Sequence, residues 1–192
     1  GKFITSTGEE KQVEKMNHYF VGNYAEGENY QLVTLPFLEG FQMNVVLPAE
    51  GVSPETVLAE IDFDNIKHKT GGDGYIDILY SSILSLPKFN IDTKIKLNDA
   101  LQKIGFEKTF ITNFGNIAES AKVENIRQLA HLEIDEDGAK GAAVTLVELT
   151  GSAYMDEIVN VDVNRPFIVT INNPKTHEVL FIGLINDPTL KN

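Results

Sequence analysis

The residues most often used for catalysis and metal binding are sparse in this chain of 192 residues. There is no cysteine, so thiol nucleophiles, disulfides and thiolate metal sites are excluded. The histidines lie far apart, and none has a second histidine or a carboxylate at a recognised ligand spacing. They are His18, His68, His131 and His177. We therefore expect neither a metal site nor a cofactor.

One cluster of carboxylates resembles the start of a calcium-binding loop. Glu133, Asp135, Asp137 and Gly138 have suitable types and spacing, but Val144 occupies the position where such a loop needs a bidentate glutamate. The chain also lacks a G-x-S-x-G elbow, a phosphate-binding glycine loop and an H-E-x-x-H helix. An enzyme of the hydrolase class therefore stays a hypothesis without a supporting motif.

The segment from Glu136 to Met155 is too long for an ordinary turn, and its middle is rich in small and β-branched residues. Within Ala139 to Thr150 the only charged residues are Lys140 and Glu148, and at period two both fall in one set of positions. The other set is uncharged and consists of Ala139, Gly141, Ala143, Thr145, Val147 and Leu149. The pattern predicts a segment that can become a strand with one buried face. Taken alone, the same pattern also fits an ordinary half-buried strand.

Composition narrows the class of protein. With 42% hydrophobic and 23% charged residues, the chain is typical of a soluble globular domain with one sizeable core. A formal net charge of −12 argues against a nucleic-acid partner, because phosphate binding needs clustered Lys and Arg. No apolar run is long enough to span a membrane, and no signal peptide is visible in GKFITSTGEE, so we expect no membrane partner.

Periodicity predicts an α+β, β-rich fold with antiparallel sheets and a few short helices. After a hairpin entry at residues 3–10, a meander of three strands is expected at 18–24, 31–37 and 41–47. Later strands are expected at 76–89 and 126–134, and the tail at 167–172 and 179–185 should form a buried hairpin. One helix should begin at Ser53-Pro54, and a second should run from Leu97 to Ile104 and end at Gly105.

Several motifs occur in the order of the C-terminal half of a serpin, a serine protease inhibitor. Leu86-Pro87-Lys88-Phe89 resembles the family's LPKF strand, and residues 180–188, LFIGLINDP, resemble its closing LFIGxxxxP motif. Leu35-Pro36-Phe37, residues 45–48 (VVLP) and Arg165-Pro166-Phe167 resemble further family motifs. The reactive-loop hinge is similar to Glu136, Asp137, Gly138, Ala139, Lys140, Gly141, Ala142, Ala143, Val144 and Thr145.

This resemblance implies that residues 1–192 are the C-terminal part of a single serpin domain, with a reactive loop at about 136–160. The N-terminal half would be absent from the chain, which would supply two strands of the central sheet, near Ile78 to Phe89 and Ile126 to Ile134. The missing half or another copy would be needed to complete that sheet. We expect the isolated chain to be unable to trap a protease.

By resemblance, the function is suicide inhibition of a serine protease, in which the cleaved loop inserts into the central sheet. Counting from Glu136 as in the family places the scissile bond at Ser152-Ala153, which suits an elastase-like or subtilisin-like partner. Tyr154-Met155 is the alternative and suits a chymotrypsin-like partner. A non-inhibitory serpin that acts as a binding or chaperone-like protein is the other hypothesis. Family resemblance also implies an extracellular or secreted protein.

Overall fold

The computed structural model describes residues 1–21, 23–37, 40–71, 78–79, 81–112, 121–136, 138–139, 142–143 and 158–190. Its contacts divide the chain into two units. The first comprises residues 1–89 and 133–190, and the second comprises residues 90–132. The β-rich fold with a few short helices agrees with the class that periodicity predicts.

The first unit begins with the predicted hairpin, in which β1 (Lys2–Ile4) pairs antiparallel with β2 (Glu10–Gln12). Gly8 has a φ of +83° in the turn, a conformation that side chains with a Cβ rarely adopt. β3 (Lys15–Val21) then enters a three-stranded sheet of order β14-β9-β3, where β9 is Ser81–Pro87 and β14 is Ile158–Asp162. β3 runs antiparallel to β9, whereas β14 runs parallel to it.

The larger sheet has five strands in the order β16-β15-β6-β5-β4. These strands are β4 (Tyr24–Glu26), β5 (Tyr30–Pro36), β6 (Gln42–Pro48), β15 (Phe167–Asn173) and β16 (Glu178–Ile185). The central strands β6 and β15 are buried over most of their length. On one face, Leu32, Val46 and Ile168 lie side by side in the register and pack with Val57.

Val57 belongs to helix α1 (Pro54–Glu60), which begins as the sequence predicts. The Ser53 hydroxyl accepts a hydrogen bond from the backbone N–H of Thr56 at 3.2 Å, and Pro54 needs no N–H partner in the first turn. The helix therefore covers the apolar part of the sheet face with its buried side.

Further along the same face lies a polar ladder, which we define as Thr34, Asn44, Thr170 and Asn172. Thr34 and Thr170 are the cross-strand neighbours of Asn44. The Thr34 hydroxyl donates to Asn44 Oδ1 at 2.9 Å, and Asn44 Nδ2 donates to Thr170 Oγ1 and Asn172 Oδ1, both at 3.0 Å. All four side chains are buried. Their mutual hydrogen bonds offset the cost of removing them from water.

β10 (Phe89–Lys96) pairs with β11 (Arg127–Asp135), and most residues of both strands belong to the second unit, apart from Phe89 and residues 133–135. Helix α2 (Asn98–Lys103) lies within the span that the sequence predicts, and Gly105 beyond it has a φ of +97°. The Asn98 side chain joins the start of α2 to the segment before β11, because it donates to Glu124 O at 2.7 Å and accepts from Ile126 N at 3.0 Å. Helix α3 (Glu107–Ile111) was not predicted.

Three expectations about the strands are wrong. The candidate at 18–24 divides into β3 and β4, which belong to different sheets, so the predicted meander begins only at β4. Within 76–89, residues 76, 77 and 80 lie outside the described part, β8 (Ile78–Leu79) pairs with β7 (Thr70–Gly71), and β9 pairs with β3 and β14. The strand beside β11 is therefore β10, not the segment near Ile78 to Phe89.

The tail forms the predicted hairpin, but β15 is buried over most of its length whereas β16 is largely exposed up to the buried Ile185. Val179, Leu180 and Ile182 of β16 are each more than half exposed, at 54%, 58% and 51%. β15 is covered on both edges by β6 and β16, whereas β16 ends the sheet among the described strands. Both strands have an apolar composition, so composition alone does not show which strand lies inside the sheet and which lies at its edge.

Candidate functional site

The start of the predicted hinge continues the sheet formed by β11. β12 (Gly138–Ala139) pairs antiparallel with the end of β11, with Ala139 opposite Ile134 and Gly138 opposite Asp135. β13 (Ala142–Ala143) in turn pairs antiparallel with β12, with Ala142 opposite Ala139. The backbone of these small residues is therefore already in β conformation beside β11.

This arrangement differs from the single extended strand that alternation suggests for the hinge. The described residues form two short strands that run back along each other. Of the other predicted hinge positions, Glu136 is described, whereas Asp137, Lys140, Gly141, Val144 and Thr145 lie outside the described residues. The scissile-bond candidates Ser152, Ala153, Tyr154 and Met155 also lie outside them. Their roles stay predictions.

An ion pair holds the first hinge residue. Glu136 Oε1 lies 2.5 Å from Lys88 Nζ, and the same ammonium lies 3.3 Å from Glu14 Oε2. The hydrogen bond from Lys88 lowers the pKa of the Glu136 carboxyl, and the bond to Glu136 raises the pKa of Lys88. Lys88 lies in the Leu86-Pro87-Lys88-Phe89 motif, but the sequence offered no sign of its contact with Glu136.

A cavity of about 350 Å³ adjoins the base of the hinge. Its apolar wall comes from strands β3, β5, β6 and β9 together with Ile134 at the end of β11. Asp135 and Glu136 lie at its margin, as does Lys15 at the start of β3. Glu136, the first predicted hinge residue, thus borders space that the described side chains do not fill.

The next described element after β13 is β14. Five residues of this strand, Ile158 to Asp162, pair in parallel with Ser81 to Ser85 of β9. The Val163 N–H extends the attachment by donating to Ser85 O at 2.9 Å. Val161 and Val163 are completely buried, so this segment is fixed by packing as well as by hydrogen bonds.

No three His, Cys, Asp or Glu side chains are grouped in a way that would hold a metal ion in the part of the chain that the structure describes. His131 Nδ1 lies 2.8 Å from Asp92 Oδ1 and His177 Nδ1 lies 3.0 Å from Asp64 Oδ1, but each is an exposed pair. Among the described residues, none of the helices is both long and apolar enough to cross a bilayer.

These features define a class of protein: a β-rich α+β fold in which short strands of small residues pair with the end of β11 and β14 joins the three-stranded sheet. A sequence model of the family Serpin (serine protease inhibitor) matches residues 1–188. The chain belongs to the serpin family.

Individual relatives agree with this assignment. An uncharacterized serpin-like protein of Methanosarcina mazei is 28% identical over 99% of this chain and 45% of its own length. Serine protease inhibitor 88Ea of Drosophila melanogaster is 28% identical over 75% of this chain and 34% of its own length. The thermophilic serpin tengpin in its native state has the same fold, with a TM-score of 0.76 and 24% identity over 97% of this chain and 49% of that one. The chain thus spans about half the length of these relatives, or less.

Proposed function

We propose that the protein carrying this chain is an irreversible, suicide-substrate inhibitor of a serine protease. The observation that carries the proposal is the pairing of Gly138–Ala139 with the end of β11. The first hinge residues are already aligned with a sheet strand, and the pairing can extend along β11 once Ala142–Ala143 separates from Gly138–Ala139. The small, uncharged side chain types at Gly138, Ala139, Ala142 and Ala143 suit such an extension.

The energy available from strand insertion is large enough for the task. Insertion of a serpin loop into a sheet is an established example of strand addition. An added strand with on the order of ten backbone hydrogen bonds, at roughly 1 kcal/mol each, gains about 10 kcal/mol. This is comparable with the whole stability of a domain, roughly 5–15 kcal/mol. Insertion can therefore deform a protease that is still attached to the loop through an acyl bond.

The partner protease follows from the bond that is cleaved. A bond at Ser152-Ala153 presents a small side chain and suits an elastase-like or subtilisin-like enzyme, whereas Tyr154-Met155 suits a chymotrypsin-like enzyme. Secretion, which would bring the protein together with such proteases, stays a prediction of the family resemblance.

The test is to incubate the full-length protein with elastase, chymotrypsin and subtilisin and to run each mixture on a denaturing gel. We expect a covalent adduct whose mass is that of the protease plus the cleaved inhibitor. A protease with its catalytic serine replaced by alanine is the control, and it should form none. Mass spectrometry of the released peptide identifies the bond. Clean cleavage without adduct would instead support the non-inhibitory, chaperone-like alternative and overturn the proposal.

A further inference from the structure

A lysine at the start of β3 is shielded from solvent although it is charged. The Lys15 side chain is only 8% exposed, and its ammonium is paired with the carboxylate of Asp162, whose side chain is 56% exposed. Lysine is rarely buried without a partner, because an ammonium removed from water needs compensation. The aliphatic part of Lys15 helps to line the cavity beside the hinge.

The Lys15–Asp162 pair connects two strands that are not neighbours. In the sheet order β14-β9-β3, Lys15 belongs to β3 and Asp162 to β14, with β9 between them. Lys15 is opposite Pro87 and Asp162 is opposite Ser85, so the ion pair spans the middle strand. Pro87 has no N–H to donate to a neighbouring strand. The Lys15–Asp162 ion pair therefore links β3 and β14 at a point where β9 has one backbone donor fewer.

Glu14, the residue before Lys15, forms an ion pair near the residue that precedes the predicted loop. Glu14 Oε2 is 3.3 Å from Lys88 Nζ, which is 2.5 Å from Glu136 Oε1. The backbone reinforces this connection, because the Lys88 N–H donates to Glu14 O at 2.9 Å. Glu14 is thus connected through Lys88 to Glu136, which precedes the predicted loop. The next residue, Lys15, is connected to Asp162 at the end of β14, which follows that loop.

We propose that Glu14 and Lys15 form an ion-pair clasp that holds both flanks of the reactive loop, with Lys15 as the positioning residue for β14. The biological meaning of the clasp rests on the proposed function, since bait must be presented from two fixed ends. The effect of the ion pair on the attachment of residues 158–163 does not depend on the proposed function. Lys15 acts through Asp162 and touches no protease.

The two ends of the clasp differ in exposure and therefore in their response to salt. Glu14 and Glu136 are 83% and 63% exposed, whereas Lys15 is shielded. Raising ionic strength from 0.01 M to 1 M shortens the screening length from about 30 Å to about 3 Å and weakens exposed pairs most. Salt should therefore loosen residues 134–139 before it loosens residues 158–163.

The test is hydrogen–deuterium exchange on the full-length protein that carries this chain, with variants Lys15→Met, Asp162→Asn and the double variant. Asp162→Asn leaves the shielded ammonium without its carboxylate, so exchange of amides 158–163 should rise about tenfold. Lys15→Met keeps the length and apolar contacts of the side chain. The double variant should therefore exchange more slowly than Asp162→Asn alone, a non-additivity expected only of partners in contact.

Lys2→Met is the matched control, because it breaks the exposed Lys2–Glu10 pair of the separate β1–β2 sheet, and it should leave amides 158–163 unchanged. Exchange in β5 and β6 separates local loosening from global unfolding. Additive effects of the two substitutions, or an Asp162→Asn variant with wild-type exchange at 158–163, would overturn the clasp. If the exchange is as expected but no protease adduct ever forms, the clasp is supported and the proposed inhibitory function is contradicted.

Discussion

At the scale of single residues, the protonation of His68 is coupled to folding near neutral pH. It is half-buried, and its Nε2 lies 2.9 Å from Thr34 Oγ1. Thr34 already donates its hydroxyl proton to Asn44 Oδ1, so it accepts from His68, which therefore carries its proton on Nε2. Burial lowers the pKa of His68 below its usual value of 6.5.

The direction of the pH effect follows from this shift. The folded protein favours neutral His68, while the unfolded chain binds a proton near pH 6.5. The stabilising contribution is therefore fully present above pH 6.5 and is lost as the pH falls below it. We predict that the free energy of unfolding, measured with urea at pH 7.5 and 5.5, falls less in His68→Gln than in the wild type. Glutamine keeps a donor and removes the titration. The same fall in both proteins would contradict the prediction.

At the scale of elements, the hinge must present one face to the sheet if the loop inserts. Alternation assigns Ala143 to the uncharged set and Ala142 to the set that contains Lys140. If the proposed inhibitory function holds, we predict that Ala143→Glu makes the protein a substrate that is cleaved without trapping the protease, because insertion would bury an unpaired carboxylate. Ala142→Glu is the matched control, one residue away with the same new charge, and should keep adduct formation. Denaturing gels give the ratio of adduct to cleaved protein, and equal ratios in both variants would show that the alternation is wrong.

The polar ladder is the element-scale feature with the largest expected effect on stability. Asn44 is completely buried and makes three side-chain hydrogen bonds to Thr34, Thr170 and Asn172. Asn44→Ala leaves buried partners unsatisfied and should lower the free energy of unfolding by about 3 kcal/mol. Thr170→Val keeps the shape and removes one acceptor, so about 1 kcal/mol is expected. Chemical denaturation measures both, and a smaller loss in Asn44→Ala than in Thr170→Val would contradict the role of the ladder.

Elements with local signals were predictable, whereas those set by distant contacts were not. Ser53-Pro54 and Gly105 mark a helix start and a helix end through local hydrogen bonding and backbone conformation, and the structure has both. Residues 18–24 read as one strand because nothing local shows that β3 and β4 pair with different partners. The contact of Glu136 with Lys88 is equally invisible, since charge type and spacing do not specify pairs 48 residues apart. Composition and family resemblance predict the hinge, but they do not predict the ion pairs of Glu136 and Asp162.

At the scale of the whole molecule, the exposed edge at β16 is a surface through which the isolated chain can associate with other molecules. Of the strands that the structure describes in the five-stranded sheet, β16 pairs on one side only with β15, and it exposes Val179, Leu180 and Ile182. A strand edge with apolar side chains invites pairing with another chain. The net charge of −12 opposes that association through repulsion, most strongly at low salt.

We predict that the isolated 192-residue chain associates more as salt is added, and that Leu180→Lys with Ile182→Lys suppresses this. Glu178→Lys is the control, because it also adds positive charge to β16 but removes no apolar surface. Sedimentation velocity at low and high salt measures the association. If the double variant associates as the wild type does, the contact lies elsewhere on the molecule.

The order of the five-stranded sheet also has a consequence for the timing of biosynthesis. β6 has its neighbour β5 at once, but its other neighbour, β15, is made much later, since 126 residues separate Asn44 from Thr170. At about 5–20 residues per second, a ribosome needs on the order of ten seconds to supply that partner. During this interval the nascent chain holds an open apolar strand and an unfinished polar ladder. Until β15 is made the sheet has only β4, β5 and β6, and a premature stop shortly before Phe167 would leave the buried strand β6 as an open edge.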